Sequence, residues 1–240
     1  MNRPKIITHM HIAIDGKING PHLQTEESHK SQREYYNLFL GENAYYNQHK
    51  GWLCGTETSA IITGYKKPEL DETVTEVPEG DFIAVDDAAM YYFTLDGLGR
   101  LGWEKNTFKY FETEAHVVEL ITEKTSAPFK DMLRRKNISY IIAGEERVDL
   151  AVALEKIKAY FDMPELMVNG GGGINWSFMT EGLVDEVSLV ITPIADGDAN
   201  SQPLFAYNEK YNKPTPVAFN LEASQVLDDG SVWLRYQVKK

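Results

Sequence analysis

The sequence predicts an α/β protein whose sheet is mostly parallel and ends in an antiparallel carboxy-terminal edge. Three observations predict it. Between residues 116 and 168, β-rich runs alternate with amphipathic helical runs across short links, which is the pattern of right-handed crossovers. A glycine cluster, Gly170-Gly171-Gly172-Gly173, follows one buried strand directly and opens a helix. Beyond it, residues 184–192, 217–227 and 232–238 are longer β-rich runs joined by loops, with Asp228-Asp229-Gly230 as a hairpin turn.

In chain order, residues 5–14 form a nearly unbroken apolar run, as expected of a central strand covered on both faces. It ends in the turn Asp15-Gly16-Lys17-Ile18-Asn19-Gly20. His9 and His11 share one face, and with no third ligand at metal spacing they are expected as hydrogen-bonded core or cleft histidines. His22 and His29 are expected in solvent. Residues 31–48 read as a helix, interrupted at Gly41, with its aromatics on the sheet. A short strand, 52–54, leads into Gly55-Thr56-Glu57-Thr58, where Thr56 is either a cap for a helix through Ile62 or part of a ligand-facing loop. Residues 66–80 are an acidic connection, 82–85 a buried strand, and 86–110 a β excursion at a sheet edge or in a long hairpin. Then come strand 116–121, helix 129–135 and strand 138–143. Asp149 caps a helix in which Leu150, Ala153, Leu154, Ile157 and Phe161 share one face, and strand 166–168 follows.

Composition narrows the function. The 240 residues are expected as a single domain with 42% apolar and 25% charged content. A net charge of −12 leaves no basic stripe for nucleic acid or an anionic membrane. The one cysteine, Cys54, excludes an intrachain disulfide and multi-cysteine metal sites, and its apolar neighbours predict a buried thiol. No apolar run approaches the roughly 20 residues of a membrane span, and none follows Arg3 and Lys5 as in a signal peptide. A cytoplasmic protein without a metal is expected.

Four glycines between a strand and a helix make either an ordinary turn or a cradle in which phosphate meets backbone N–H groups at the helix start. The usual Gly-x-Gly-x-x-Gly after a first strand and the Walker-type loop are both absent. The run Asn169-Gly-Gly-Gly-Gly-Ile-Asn175, followed by Gly182-Leu-Val-Asp-Glu186 and Pro193, resembles the reductase domain of bacterial riboflavin biosynthesis proteins. That domain lies within the dihydrofolate-reductase-like superfamily. Ile14-Asp15-Gly16-Lys17-Ile18 resembles its amino-terminal Leu-Asp-Gly-Lys-Ile, and Gly55-Thr56-Glu57-Thr58 its Gly-x-x-Thr. The likeness runs over nearly the whole chain.

The resemblance implies a three-layer α/β/α fold, NADPH as cofactor, a small-molecule substrate and a homodimer. It implies that Gly170, Gly171, Gly172 and Gly173 take the pyrophosphate, that Gly55, Thr56 and Thr58 flank the cofactor, and that Ala13 lies beside the nicotinamide. Thr122, Lys124 and Ser126 fall where such folds meet the adenosine ribose and its 2′-phosphate; without the resemblance, Lys124 is an ordinary solvated lysine. Asp15 is either a turn anchor or the carboxylate that orients substrate for hydride transfer. Trp52 and Asn169 are candidate substrate contacts, while Asp185 and Glu186 are expected to be structural. The chain departs from the family pattern at Ile12-Ala13, where a polar pair is usual, at Asn169, where Glu is common, and at Gly51-Trp52, where an acid is missing. The implied reaction is reduction of the ribosyl side chain of 5-amino-6-(5-phosphoribosylamino)uracil. The alternatives are another small carbonyl, imine or pterin-like substrate, or a noncatalytic nucleotide-binding protein. The zinc deaminase that often precedes this domain needs more than one cysteine, so deamination by this chain is excluded.

Overall fold

A computed structural model describes residues 2–210 and 212–239. The elements in chain order are β1 (Lys5–Ala13), α1 (Glu26–Phe39), β2 (His49–Cys54), α2 (Thr56–Ile62), β3 (Tyr91–Leu95), β4 (Thr107–Tyr110), β5 (Thr113–Ile121), α3 (Ala127–Arg135), β6 (Ser139–Ile142), α4 (Leu150–Phe161), β7 (Glu165–Val168), α5 (Gly172–Thr180), β8 (Glu186–Thr192), β9 (Phe219–Val226) and β10 (Val232–Val238). They form two compact units. One is His49–Leu166 with the amino-terminal residues to Pro4; the other is Lys5–Gln48 with Met167–Lys240. The fold class is the expected one, three-layer α/β/α with a mixed, mostly parallel sheet and an antiparallel carboxy-terminal edge. Parallel pairs are β1/β8, β2/β3, β3/β5 and β5/β6; antiparallel pairs are β4/β5, β8/β10 and β9/β10.

In the first unit β3 is buried from Tyr91 to Thr94, with side chains packed on both faces. Tyr91 and Phe93 pack on Phe161 of α4, with ring centroids 4.4 and 5.6 Å away. Tyr92 points the other way, against Trp52, Trp103 and Phe108, and its hydroxyl meets Ser59 of α2 at 2.7 Å. Helix α4 begins where Asp149 accepts the Val152 amide at 3.0 Å, as its sequence predicts. On the Tyr92 face lies a fully buried carboxyl, Glu119, which takes the Trp103 indole N–H. Burial above all, and then the neighbouring Asp96, push Glu119 well above the usual carboxyl range. The Cys54 thiol is buried beside Tyr92, and desolvation pushes it up to about 12.

In the second unit α1 lies on the β1 face that carries His9. The His9 ring stacks on Tyr35 at 4.4 Å and bonds Ser188 of β8 at 2.9 Å. The Trp233 indole donates to the same Ser188 hydroxyl. Asp185 accepts the Ile6 amide, and the buried Glu186 carboxylate accepts from Lys5 and Tyr46 at 2.9 and 2.5 Å, so both acids are structural as expected. The hairpin at Asp228-Asp229-Gly230 closes with Gly230 at φ +85°.

Several expectations change. Helix α1 starts at Glu26, because Thr25 caps it through the Ser28 amide, and it ends before Gly41, where a Cβ would strike the Asn37 backbone. His29 is exposed as expected, although on a helix rather than in a loop, whereas His22 is buried, against its expected exposure. Residues 82–85 are not a strand, since only Phe82 makes a bridge, to Tyr140. The 86–110 stretch holds an interior parallel strand, β3, as well as the expected edge strand β4. Gly55, not Thr56, is the N-cap of α2; the Thr56 hydroxyl donates to the Leu95 carbonyl instead. Among the described residues no helix is long and apolar enough to cross a membrane.

A proton held by folded Glu119 is given up on unfolding once the pH exceeds the ordinary carboxyl value, so this group costs stability as pH rises from that value toward its folded pKa. Glu119→Gln keeps an acceptor for Trp103 and removes the titration. Thermal melts should show the variant gaining on wild type as pH rises from about 5 to about 8; equal pH slopes would contradict a protonated Glu119.

Candidate functional site

The second unit brings two predicted motifs together through backbone. At the end of β1, Ala13 is buried and followed by a turn in which the Gly16 amide donates to the Ala13 carbonyl, with Gly16 at φ +78°. Asp15 is exposed. Each carboxylate oxygen takes one loop amide, from Asp196 at 3.2 Å and Gly197 at 2.9 Å. The Gly197 N–H above all holds the Asp15 carboxyl below the usual range. Asp15 thus ties its turn to the 196–197 loop rather than to itself, and a carboxylate that accepts once at each oxygen retains lone pairs for a further donor.

The glycines divide by task. Gly170 sits at φ +87° against β1, where a Cβ would come 2.9 Å from Met10 Cε. Its peptide bond to Gly171 is cis. Gly171 is the N-cap of α5. A Cβ at Gly172 would strike the Pro203 carbonyl, because the strap 203–206 crosses there and the Ala206 amide donates to the Gly172 carbonyl at 3.1 Å. A Cβ at Gly173 would meet nothing within 4 Å. The Ile174 and Asn175 amides both donate to the Gly171 carbonyl at 3.1 Å, so the donors this helix start offers beside open space are the N–H groups of Gly172 and Gly173. Asn175 is fully buried in this turn; its amide nitrogen donates to the Leu204 carbonyl at 3.0 Å, while its side-chain oxygen has no hydrogen-bond partner. That orphaned acceptor and the open face at Gly173 suit a bound ligand carrying both phosphate and donor groups. The strap also reaches the first motif, since the Leu204 amide donates to the Gly16 carbonyl at 2.9 Å.

Other predicted residues hold different posts. The Asn169 side-chain amide donates to the Tyr35 hydroxyl. Trp52 is 4% exposed inside the aromatic core of the first unit, so it presents almost no surface to a substrate. Beside it, Gly51 lacks the family's acid because a Cβ there would press on the Tyr91 carbonyl and the Phe93 ring. Thr58 is half-buried on α2.

In the first unit the loops after β3 and β5 are tied together. The Thr122 hydroxyl is buried and donates to the Gly97 carbonyl at 2.7 Å, and Thr125 adds a second bond to that oxygen. Thr122 is thereby a loop tie, with its hydroxyl already spent, and Ser126 caps α3 through the Phe129 amide. Lys124 is exposed and paired with Glu146. The sequence reading passed over Arg100, which stands on the neighbouring loop with its amide held by Asp96 and its exposed guanidinium 3.5 Å from Glu57. The only signal for it was its place after Asp96-Gly97-Leu98-Gly99. His11 also matters to the site's electrostatics: burial, then His22, lower it from 6.5 to about 4, and its Nε2 meets the Thr192 hydroxyl at 2.7 Å. Among the described residues no group of three or more His, Cys, Asp or Glu could hold a metal ion.

The arrangement is a mixed α/β/α sheet in which a glycine turn at one helix start and an aspartate turn are bound to the same strap. The sequence model of the RibD C-terminal domain matches residues 102–233, more than half of the chain. The chain belongs to the RibD C-terminal domain family. It is 27% identical over 237 residues, 99% of either chain, to the 2,5-diamino-6-ribosylamino-4(3H)-pyrimidinone 5′-phosphate reductase of Methanothermobacter thermautotrophicus. It is 24% identical over 203 residues to the protein of the same name from Aquifex aeolicus, covering 83% of this chain and 81% of that one. In fold it is similar to a pyrimidine reductase-like protein from Corynebacterium diphtheriae, with a TM-score of 0.61 at 16% identity over 100% of this chain and 93% of that one.

The division of the glycines is testable without ligand. Gly172→Ala should destabilise the fold by about 1–3 kcal/mol, since a Cβ must displace backbone, whereas Gly173→Ala should be neutral or stabilise by up to about 1 kcal/mol through helix propensity. Urea unfolding of both variants checks this; equal losses would contradict the assignment.

Proposed function

We propose that the chain is a cytoplasmic NADPH-dependent reductase of a small phosphorylated heterocycle, in the first instance 2,5-diamino-6-ribosylamino-4(3H)-pyrimidinone 5′-phosphate. The observation that carries the reading is the strap 203–206, which hydrogen-bonds both the Gly16 turn beside Asp15 and the Gly172 turn at the start of α5. A carboxylate and a phosphate-suited helix start are thereby held in one frame, as hydride transfer between two bound partners requires. The names of the two curated relatives favour the diaminopyrimidinone over the uracil analogue.

NADPH, when bound, supplies the hydride. Gly171, Gly172 and Gly173 offer backbone N–H groups to its pyrophosphate, and Asn175 offers an acceptor to one of its donor groups. Gly55, Thr56 and Thr58 remain proposed contacts through backbone and small side chains, whereas Ala13 is fully buried with its amide on the Lys17 carbonyl and its carbonyl on the Gly16 amide, and supports the turn instead. Arg100 and Lys124 are proposed for the 2′-phosphate: they stand on the loops after two adjacent parallel strands, with Lys124 paired to the exposed Glu146 and Arg100 to the exposed Glu57 at 3.5 Å and the buried Asp96 carboxylate at 4.0 Å. Asp15 binds and orients the substrate by accepting from its N–H or O–H groups. Asn169 faces the substrate in place of the family's common Glu, with Tyr35 fixing its amide.

Equilibrium binding of NADPH and NADH, read by nicotinamide fluorescence, tests the cofactor. Gly173→Asp should weaken both by about tenfold or more, because it places a carboxylate where phosphate is expected, while Arg100→Ala and Lys124→Ala should weaken NADPH alone by about five- to tenfold. A well-folded wild type that binds neither nucleotide contradicts the proposal.

We assign the homodimer to the β9–β10 edge. Strand β9 is exposed along most of its length; Leu221 and Val226 are 58% and 71% exposed and register with Tyr236 and Val232 of β10. Leu234 and Val232 in turn register with the half-buried Leu189 and Ile191 of β8, which extends the apolar face. A second copy related by a two-fold axis would cover this face. Sedimentation equilibrium should give a dimer for wild type and a monomer for Leu221→Asp/Val226→Lys; a monomeric wild type would contradict the assignment.

A further inference from the structure

We infer that His22 and Asp196 form a buried clamp that holds the Asp15 carboxylate in its working position, which makes His22 a positioning residue for the reduction. The inference rests on the reading of the site as a reductase.

Both side chains are 0% exposed although His22 lies on a single 3₁₀ turn, Pro21–Gln24, and Asp196 on a loop. Asp196 Oδ2 accepts from His22 Nδ1 at 2.6 Å and from the His22 amide at 3.2 Å, and Oδ1 accepts the Asp198 amide at 3.1 Å. The Ser201 hydroxyl and then His22 hold the Asp196 carboxyl far below the usual range. The backbone of the same aspartate, with that of Gly197, donates the two N–H bonds that orient Asp15. One residue thus faces the clamp with its side chain and Asp15 with its amide.

The surrounding chain is shaped to this contact. Gly20 lies at φ +132°, and a Cβ on it would run into both Ser201 Oγ and the Asp196 carboxylate. The flanking loops are zipped by Ile18 N to Gln202 O at 2.9 Å, Gln202 N to Asn19 Oδ1 at 2.7 Å and Lys17 Nζ to Ser201 O at 2.7 Å. A desolvated carboxylate stays buried only while its donors are present. Without His22, rehydration of Asp196 requires the 195–198 segment to move, and Asp15 loses its two amides. The clamp needs one N–H at the Nδ1 position; Nε2 is buried and has no hydrogen-bond partner, so the second ring nitrogen adds nothing. Asparagine presents an N–H at nearly the same place as Nδ1 and should substitute for the imidazole.

The test compares His22→Leu, His22→Asn, Ser201→Ala and Asp15→Asn with wild type. The readouts are amide exchange at Asp196 and Gly197 by NMR, NADPH affinity, and kcat and KM with 2,5-diamino-6-ribosylamino-4(3H)-pyrimidinone 5′-phosphate. His22→Leu should speed exchange at the two amides at least about tenfold and lower kcat about ten- to a hundredfold, with the NADPH dissociation constant unchanged within about twofold. His22→Asn should restore exchange and kcat to within about threefold of wild type, and His22→Leu added to Asp15→Asn should cost nothing further. Should His22→Leu fail to fold, Ser201→Ala, which removes another donor to the same carboxylate, must still speed exchange at Gly197. Protected amides in both variants, or a fall in kcat with the amides still protected, would overturn the clamp. A wild type without turnover would overturn the reductase reading instead, and the exchange data would still decide whether the clamp exists.

Discussion

The site depends on backbone hydrogen bonding by one short strap. Leu204 donates to Gly16 and Ala206 donates to Gly172, so the turn after β1 and the turn before α5 share a support that needs no side chain. Close approach of backbone to backbone is possible only without a Cβ, and Gly172 meets that condition against Pro203. Asn175 completes the frame from the helix side by taking up the Leu204 carbonyl. Such a support is made by backbone alone, so it does not depend on side-chain identity in the loops.

Charge is handled differently in the two units. In the second, buried carboxyl groups are met by several donors: Glu186 by Lys5 and Tyr46, Asp196 by His22 and backbone amides. In the first, Glu119 sits among Tyr92, Trp103 and neighbouring apolar groups, and burial holds it neutral. A protein of net charge −12 still presents exposed cations, Arg100 and Lys124, on adjacent loops at the carboxyl ends of parallel strands. Ligands of open α/β sheets gather at those ends.

Much of this was legible in the sequence because the signals were local. The glycine turn, the Asp149 cap, the hairpin at Gly230 and the alternation from 116 to 168 each involve residues close in the chain. The errors came from partners far away in sequence. His22 read as a loop histidine because its burial comes from Asp196, 174 residues on. Thr122 looked ready for a phosphate, yet its hydroxyl is taken by Gly97, and Trp52 looked like a lining residue until Tyr92 and Phe108 enclosed it. The 86–110 stretch was unreadable as an interior strand because Gly97, Gly99 and Gly102 suggest an edge; in the fold they serve the turn after β3 and the contact of Gly102 with the backbone of Lys66. The amides that Asp15 accepts come from Asp196 and Gly197, equally far along the chain.

The most direct measurement of the central claim is a product analysis: purified protein, NADPH and 2,5-diamino-6-ribosylamino-4(3H)-pyrimidinone 5′-phosphate, followed by mass spectrometry of the pyrimidine. The account predicts a product heavier by two hydrogens, formed in equal amount to the NADPH oxidised and carrying deuterium when the cofactor is labelled at the transferred position. NADPH that binds but is not consumed, with the pyrimidine unchanged, would contradict it.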